Sequence, residues 1–199
     1  MRSFRATGLA GALERALAAA VPPWHAGAMQ DTALPIAHLV LGGARSGKSR
    51  HAEALVRAMP GPWIYIATAE AHDAEMAERI ARHRHDRGPG WRTVEAPRAL
   101  AAAIAAAPEG APVLVDCLTL WLTNVMLAGE DVEAACRQLT EAVARRRRPL
   151  VLVANEVGFG IVPDNALARR FRDHAGLLNQ RLPPSSTRSP SWSPACRSP

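Results

Sequence analysis

Lysine is nearly missing from this chain. Of its 24 basic residues, 23 are arginine and the one lysine is Lys48, so a lysine at that position is not background composition. Cysteine is scarce too: Cys117, Cys136 and Cys196 show neither the spacing of a metal site nor the pattern of a disulfide framework, which fits a reducing cytoplasm. No run of about 18 apolar residues occurs, so no membrane span is expected. A strongly basic domain is lacking as well. The formal charge is +6, but Arg2, Arg5 and Arg15 against Glu14 place +2 of it before residue 29, and Arg188 and Arg197 place +2 after residue 182. The remainder carries only about +2, which argues against a nucleic-acid partner. The run Arg145 to Arg148 lies between a helix pattern and a strand pattern and reads as a solvated turn.

What is present starts at His38. Leu39, Val40 and Leu41 form a short apolar run, and Gly42 to Ser49 (Gly-Gly-Ala-Arg-Ser-Gly-Lys-Ser) fits G-x-x-x-x-G-K-[ST], with a helix pattern from Arg50 to Met59. Strand, glycine-rich turn and helix are the context in which this motif binds phosphate. Gly42, Gly43 and Gly47 let the backbone come close to phosphates, while Ala44, Arg45 and Ser46 complete the loop. The loop amides and helix N-terminus supply partial positive charge. Lys48 reaches the outer phosphates and the Ser49 hydroxyl suits Mg²⁺. The bland alternative is a glycine-rich turn with no ligand.

The rest alternates. Strands are expected at Trp63–Thr68, Trp91–Glu95, Pro112–Asp116 and Leu150–Ala154. Helices are expected at Asp73–His83, where Gly88-Pro89-Gly90 stops the pattern, and at Pro97–Ala107, Val132–Arg147 and Asp164–Arg181; Leu118–Leu127 is an apolar helix or loop. Wholly apolar strands alternating with helices indicate a phosphate-loop, NTPase-like α/β fold, its mostly parallel sheet covered by helices on both faces. Three segments follow: 1–35, an extension that is disordered or helical, with translation from Met29 the simpler expectation; 36–182, the nucleotide-binding domain; and 183–199, rich in Pro, Ser and Arg and expected to be disordered. Back-translated with GC-rich codons, that last segment can be read in a neighbouring frame as Ala-Val-Leu-Asp-Glu-Val-Ala-Val-Val-Val-Ala-Gly-Leu-Pro-Leu, so a frameshift that removed the last strand is expected.

Asp116 ends an apolar strand, the place of a second Mg²⁺-organising carboxylate, although a helix cap or surface aspartate would look the same. His83 stands in Arg79-Ile-Ala-Arg-His-Arg-His-Asp-Arg87. Arginines around an imidazole favour its neutral, nucleophilic form and offset charge on a polyphosphate leaving group. A solvated, charged helix end is the plainer reading of the same residues.

Six stretches together resemble one family. They are Gly42–Arg50, Tyr65–Ala69, Asp73–Ile80 with His83 three residues on, Trp91–Glu95, Asn155–Pro163 and Phe171–Arg181. Between about Leu39 and Leu182 the chain resembles the bifunctional adenosylcobinamide kinase / adenosylcobinamide-phosphate guanylyltransferases of cobalamin biosynthesis. The resemblance implies ATP and GTP as substrates with Mg²⁺ as cofactor, a corrinoid partner, a homo-oligomer (a trimer), and a histidine that becomes guanylylated. It places that histidine at His83, with His85 the rival. It places nucleotide contacts on Gly42 to Ser49, on Thr68, Ala69 and Glu70, on Arg84, His85, Asp86 and Arg87, and on Glu95 and Asp116. Another phosphate-loop small-molecule kinase without a histidine intermediate, or a nucleotide-binding regulatory protein, would share the loop alone.

Overall fold

A computed structural model describes residues 37–71, 73–182 and 186–188, without the side chains of 76, 79, 84–86 and 186–188. Expectations about residues 1–36, about the Met29 start and about the rest of the tail lie outside the described residues.

Five parallel strands form the body of the sheet: β1 (Ala37–Gly42), β2 (Trp63–Ala67), β3 (Trp91–Glu95), β4 (Val113–Asp116) and β5 (Leu150–Asn155). A short β6 (Ser186–Arg188) completes the order β3-β2-β4-β5-β1-β6. All pairings are parallel, as apolar runs without alternation require when both faces are covered. The helices are α1 (Lys48–Arg57), α2 (Ala74–Arg87), α3 (Leu100–Ala106), α4 (Leu118–Leu127), α5 (Val132–Arg145) and α6 (Ala166–Arg181).

Successive strand residues feed two cores. Leu39, Ile66, Val115 and Leu152 meet α3, α4, α5 and α6 on one face, through Ile104, Trp121, Leu139 and Leu178. Val40, Leu114, Val151 and Val153 meet Ala52 and Val56 of α1 on the other. Each large side chain buried this way contributes about 1.5–3 kcal/mol before chain entropy is subtracted. Asp131 and Asn165 cap α5 and α6, their side chains accepting from the N–H groups of Ala134 and Ala168.

Two differences from the sequence reading matter. The helix carrying His83 runs on to Arg87, four residues past its expected end, so His83 lies inside α2 and not at its terminus. Three residues of the tail expected to be disordered, Ser186–Arg188, pair with Leu39–Leu41 at the edge beyond β1.

The amino end of the sheet is closed by local contacts. Gly90 has φ 96, and a Cβ on it would stand 2.9 Å from the Trp63 ring. Trp63 in turn packs 5.5 Å from Trp91 and donates its indole N–H to the Met59 carbonyl at 2.8 Å. Arg146, expected in a solvated turn, is half-buried, and its guanidinium donates to the carbonyls of Ile104, Ala107, Pro108 and Ala111. It closes the C-terminal end of α3, whose carbonyls have no partner within the helix.

Candidate active site

The loop begins at the carboxyl end of β1. Gly42 is its last strand residue, and Gly43, Ala44, Arg45, Ser46 and Gly47 turn the chain into α1. The turn needs a left-handed residue at Gly47 (φ 81), and Arg45 also adopts positive φ (56). Gly43, Ala44 and Arg45 are exposed. The first turn of α1 holds no acidic residue, so its amide dipoles stay uncompensated and favour an anion. The Lys48 ammonium lies over the loop and donates to the Gly43 carbonyl at 3.2 Å.

From this loop opens a pocket of about 610 Å³, large enough for a nucleotide. Lys48 and Ser49 form one wall. The last residues of four neighbouring strands, Glu95, Ala67, Asp116 and Asn155, line it in the sheet order β3-β2-β4-β5. Ala69 and Glu70 follow β2 into it, and α2 presents Ile80, His83 and Arg87. Open α/β sheets bind ligands at this end because the strand ends and helix N-termini converge there.

A chain of contacts crosses the floor. The Tyr65 hydroxyl donates to Asp116 Oδ2 at 3.1 Å. Burial, together with the Asp116 carboxylate, pushes the Tyr65 phenol above its ordinary range, so it stays a donor. The Arg87 guanidinium stacks 3.4 Å above the Tyr65 ring centroid, and its Nε donates to the His83 carbonyl at 3.0 Å. Arg57 of α1 donates to the Arg87 carbonyl. The helix bearing His83 is thereby tied both to the strand beside Asp116 and to the helix of the phosphate loop. Glu53, one turn after Ser49, is pushed up by burial, against the opposing pull of Arg57, Arg87 and His83.

Of the arginines expected around the imidazole, Arg82 is placed differently, while Arg87 stays at the pocket and donates to the His83 carbonyl. Arg82 is paired outward with Glu78 at 2.8 Å, and Arg87 is buried against Tyr65. The side chains of Arg84, His85 and Asp86 lie outside the description, though their backbone is in α2. Thr68 is also placed differently: fully buried, it donates from Oγ1 to the Cys117 carbonyl at 2.7 Å and accepts from the Cys117 N–H at 2.8 Å. It braces the turn after β4 and does not line the pocket. Asn124 holds the same region, donating to the carbonyls of Thr68 and Pro97.

Sequence reasoning missed Tyr65 and Asn155 as pocket residues. Tyr65 looked like an ordinary strand aromatic. Asn155 carried the signal that identified Asp116, a polar residue ending an apolar strand.

Ser49 and Asp116 fit a Mg²⁺ ion. They offer a hydroxyl and a carboxylate, hard oxygen donors, and Tyr65 engages only Oδ2 of the carboxylate. Among the described residues no group of three or more His, Cys, Asp and Glu could hold a metal. A cation here would therefore share its coordination with nucleotide phosphates and water, as Mg²⁺ does.

A family profile described as cobinamide kinase / cobinamide phosphate guanyltransferase matches residues 38–190, continuing eight residues past Leu182. The chain is 48% identical over 147 residues to the bifunctional adenosylcobalamin biosynthesis protein CobP of Pseudomonas aeruginosa, covering 72% of this chain and 85% of that one. It is 47% identical over 161 residues to the bifunctional adenosylcobalamin biosynthesis protein CobU of Salmonella typhimurium, and 44% identical over 160 residues to that of Escherichia coli, covering 72% of this chain and 88% of each.

Proposed function

The chain belongs to the cobinamide kinase / cobinamide phosphate guanyltransferase family, and on that premise we propose that it phosphorylates adenosylcobinamide and then transfers GMP to the product, through a covalent GMP on His83. The observation that supports this reading is the sharing of one pocket by Lys48, Ser49, Asp116 and His83.

In the kinase step the loop amides and Lys48 hold the triphosphate of ATP or GTP. Ser49 and Asp116 would hold Mg²⁺, which draws charge from the phosphates. The substrate hydroxyl attacks the γ-phosphorus; positioning and charge neutralisation carry this step, with no covalent help from the protein. In the transfer step an imidazole nitrogen of His83 bonds to the α-phosphorus of GTP, and the bond to the β-phosphate oxygen breaks, releasing pyrophosphate. A phosphate oxygen of adenosylcobinamide phosphate then bonds to the same phosphorus, the P–N bond breaks, and His83 is restored. The intermediate divides a difficult displacement between anions into two easier ones. Glu70, Glu95 and Arg87 complete the nucleotide's surroundings. The resemblance also implies a homotrimer, and the scarce cysteines fit a reducing cytoplasm.

Incubation with GTP labelled in the α-phosphate tests this. An acid-labile, alkali-stable label on the protein, chased by adenosylcobinamide phosphate, is the expected result. Phosphorylation of adenosylcobinamide with no protein label would mark a phosphate-loop kinase without a histidine intermediate.

A further inference from the structure

Strand β5 lies between β4, which ends in Asp116, and β1, which leads into the phosphate loop. Asn155 is its last residue. It stands in register with Gly42, and Val153, two residues earlier, stands in register with Asp116. Asn155 therefore occupies the gap between the loop that holds the outer phosphates and the carboxylate suited to the metal. Its backbone is fixed there: the N–H donates to Thr119 Oγ1 at 2.7 Å. Its side chain lines the pocket, yet Oδ1 is buried and has no hydrogen-bond partner among the described residues.

A buried carbonyl oxygen without a donor is costly, and in the working protein a water or a ligand supplies one. The phosphates of a nucleotide do not, because ionised phosphate oxygens are acceptors. The donor that a kinase step brings to this spot is the O–H of the alcohol that attacks the γ-phosphorus. We infer that Asn155 is a catalytic residue of the phosphorylation half-reaction, its Oδ1 accepting the hydrogen bond of the attacking hydroxyl and aiming the alcohol oxygen at the γ-phosphorus. The inference rests on the phosphoryl-transfer reading of the pocket. The new O–P bond forms as the bond from the γ-phosphorus to the β,γ-bridging oxygen breaks, and the nucleoside diphosphate leaves. The hydroxyl proton passes to a phosphoryl oxygen and then to solvent; the amide orients it and stays neutral.

Histidine guanylylation has no attacking hydroxyl, so it does not need this contact. The test compares the full chain with its Asn155→Ala and Asn155→Ser variants in three measurements: phosphorylation of adenosylcobinamide, formation of GMP-enzyme from GTP alone, and affinity for a non-hydrolysable GTP analogue. With alanine, kcat for phosphorylation should fall about 100-fold, the scale of one lost hydrogen bond to a reacting group, while GMP-enzyme formation and analogue affinity stay within about threefold. Serine keeps an oxygen acceptor and should lose less; if the alanine variant does not fold, the serine variant carries the comparison. Unchanged phosphorylation in a folded variant, or a parallel loss in all three measurements, would overturn the inference. A parallel loss would assign Asn155 to holding the loop or metal-bound water. A wild-type chain that phosphorylates no adenosylcobinamide would overturn the reading of the pocket, and the inference with it.

Discussion

The two ends of the sheet use polar residues in opposite ways. At the carboxyl end, Lys48, Ser49, Glu95, Asp116 and Asn155 line a pocket of about 610 Å³. At the amino end, Arg146 turns inward to the carbonyls that finish α3, and the Trp63 indole closes on Met59 and packs over Gly90. The same parallel strands supply both ends. Every crossover returns the chain to the amino end, where it only has to be packed, and every strand delivers its last residue to the carboxyl end, where a ligand can be met. The difference teaches that charge in itself does not mark chemistry here. The run Arg145–Arg148 and the stretch Arg82–Arg87 are both rich in arginine, yet Arg146 of the first closes a helix end, while His83 and Arg87 of the second line the pocket that holds the phosphate-loop residues.

If that division holds, changes at the carboxyl end cost activity and changes at the amino end cost stability. The largest effect is expected for Lys48→Ala. It removes the charge on the outer phosphates and, within the protein, one hydrogen bond to the Gly43 carbonyl, so adenosylcobinamide phosphorylation should drop by at least about 1,000-fold with a nearly unchanged melting temperature. Near-normal phosphorylation would remove the loop from the mechanism.

Arg146→Ala should do the reverse. The four carbonyls its guanidinium serves would lose their donor, for a loss of about 2–3 kcal/mol in urea unfolding, while phosphorylation per folded molecule stays normal. An unchanged urea midpoint would mean that those carbonyls are served by water and that the amino end is less closed than described.

Asn124→Ala sharpens the boundary, because Asn124 is a packing residue at the chemical end. Its amide joins the segments after β2 and β3, through the carbonyls of Thr68 and Pro97. A loss of about 1–2 kcal/mol together with a raised KM for nucleotide is expected, since Ala69 and Glu70 stand on the first of those segments and Glu95 leads into the second. A stability loss with KM unchanged would show that the pocket wall does not depend on this tie.

Much of this was legible in the sequence because its causes are local. Apolar strand runs, the glycine pattern before Lys48 and the carboxylate after Val115 each declare themselves within a few residues. The contacts that were not legible join distant segments. Arg87 meets Tyr65 across 22 residues of chain, Arg146 meets the end of α3 across some 35 to 42, and Thr68 meets Cys117 across 49. No periodicity within one segment announces such a pair. The resemblance placed Thr68 among the nucleotide contacts, and nothing local announced that its hydroxyl bonds the turn after β4. Asn155 is the exception: its signal was local, and only the matching signal at Asp116 was used.

The central claim is that His83, set in α2 against the same pocket as the phosphate loop, is the residue that carries GMP. Peptide mass spectrometry after brief exposure to GTP, on the intact chain and on His83→Ala, tests it most directly. The account predicts a GMP adduct on the peptide containing His83, fragmenting to that residue, and its absence from His83→Ala, which still phosphorylates adenosylcobinamide. An adduct on His85, or one that persists in His83→Ala, would contradict it.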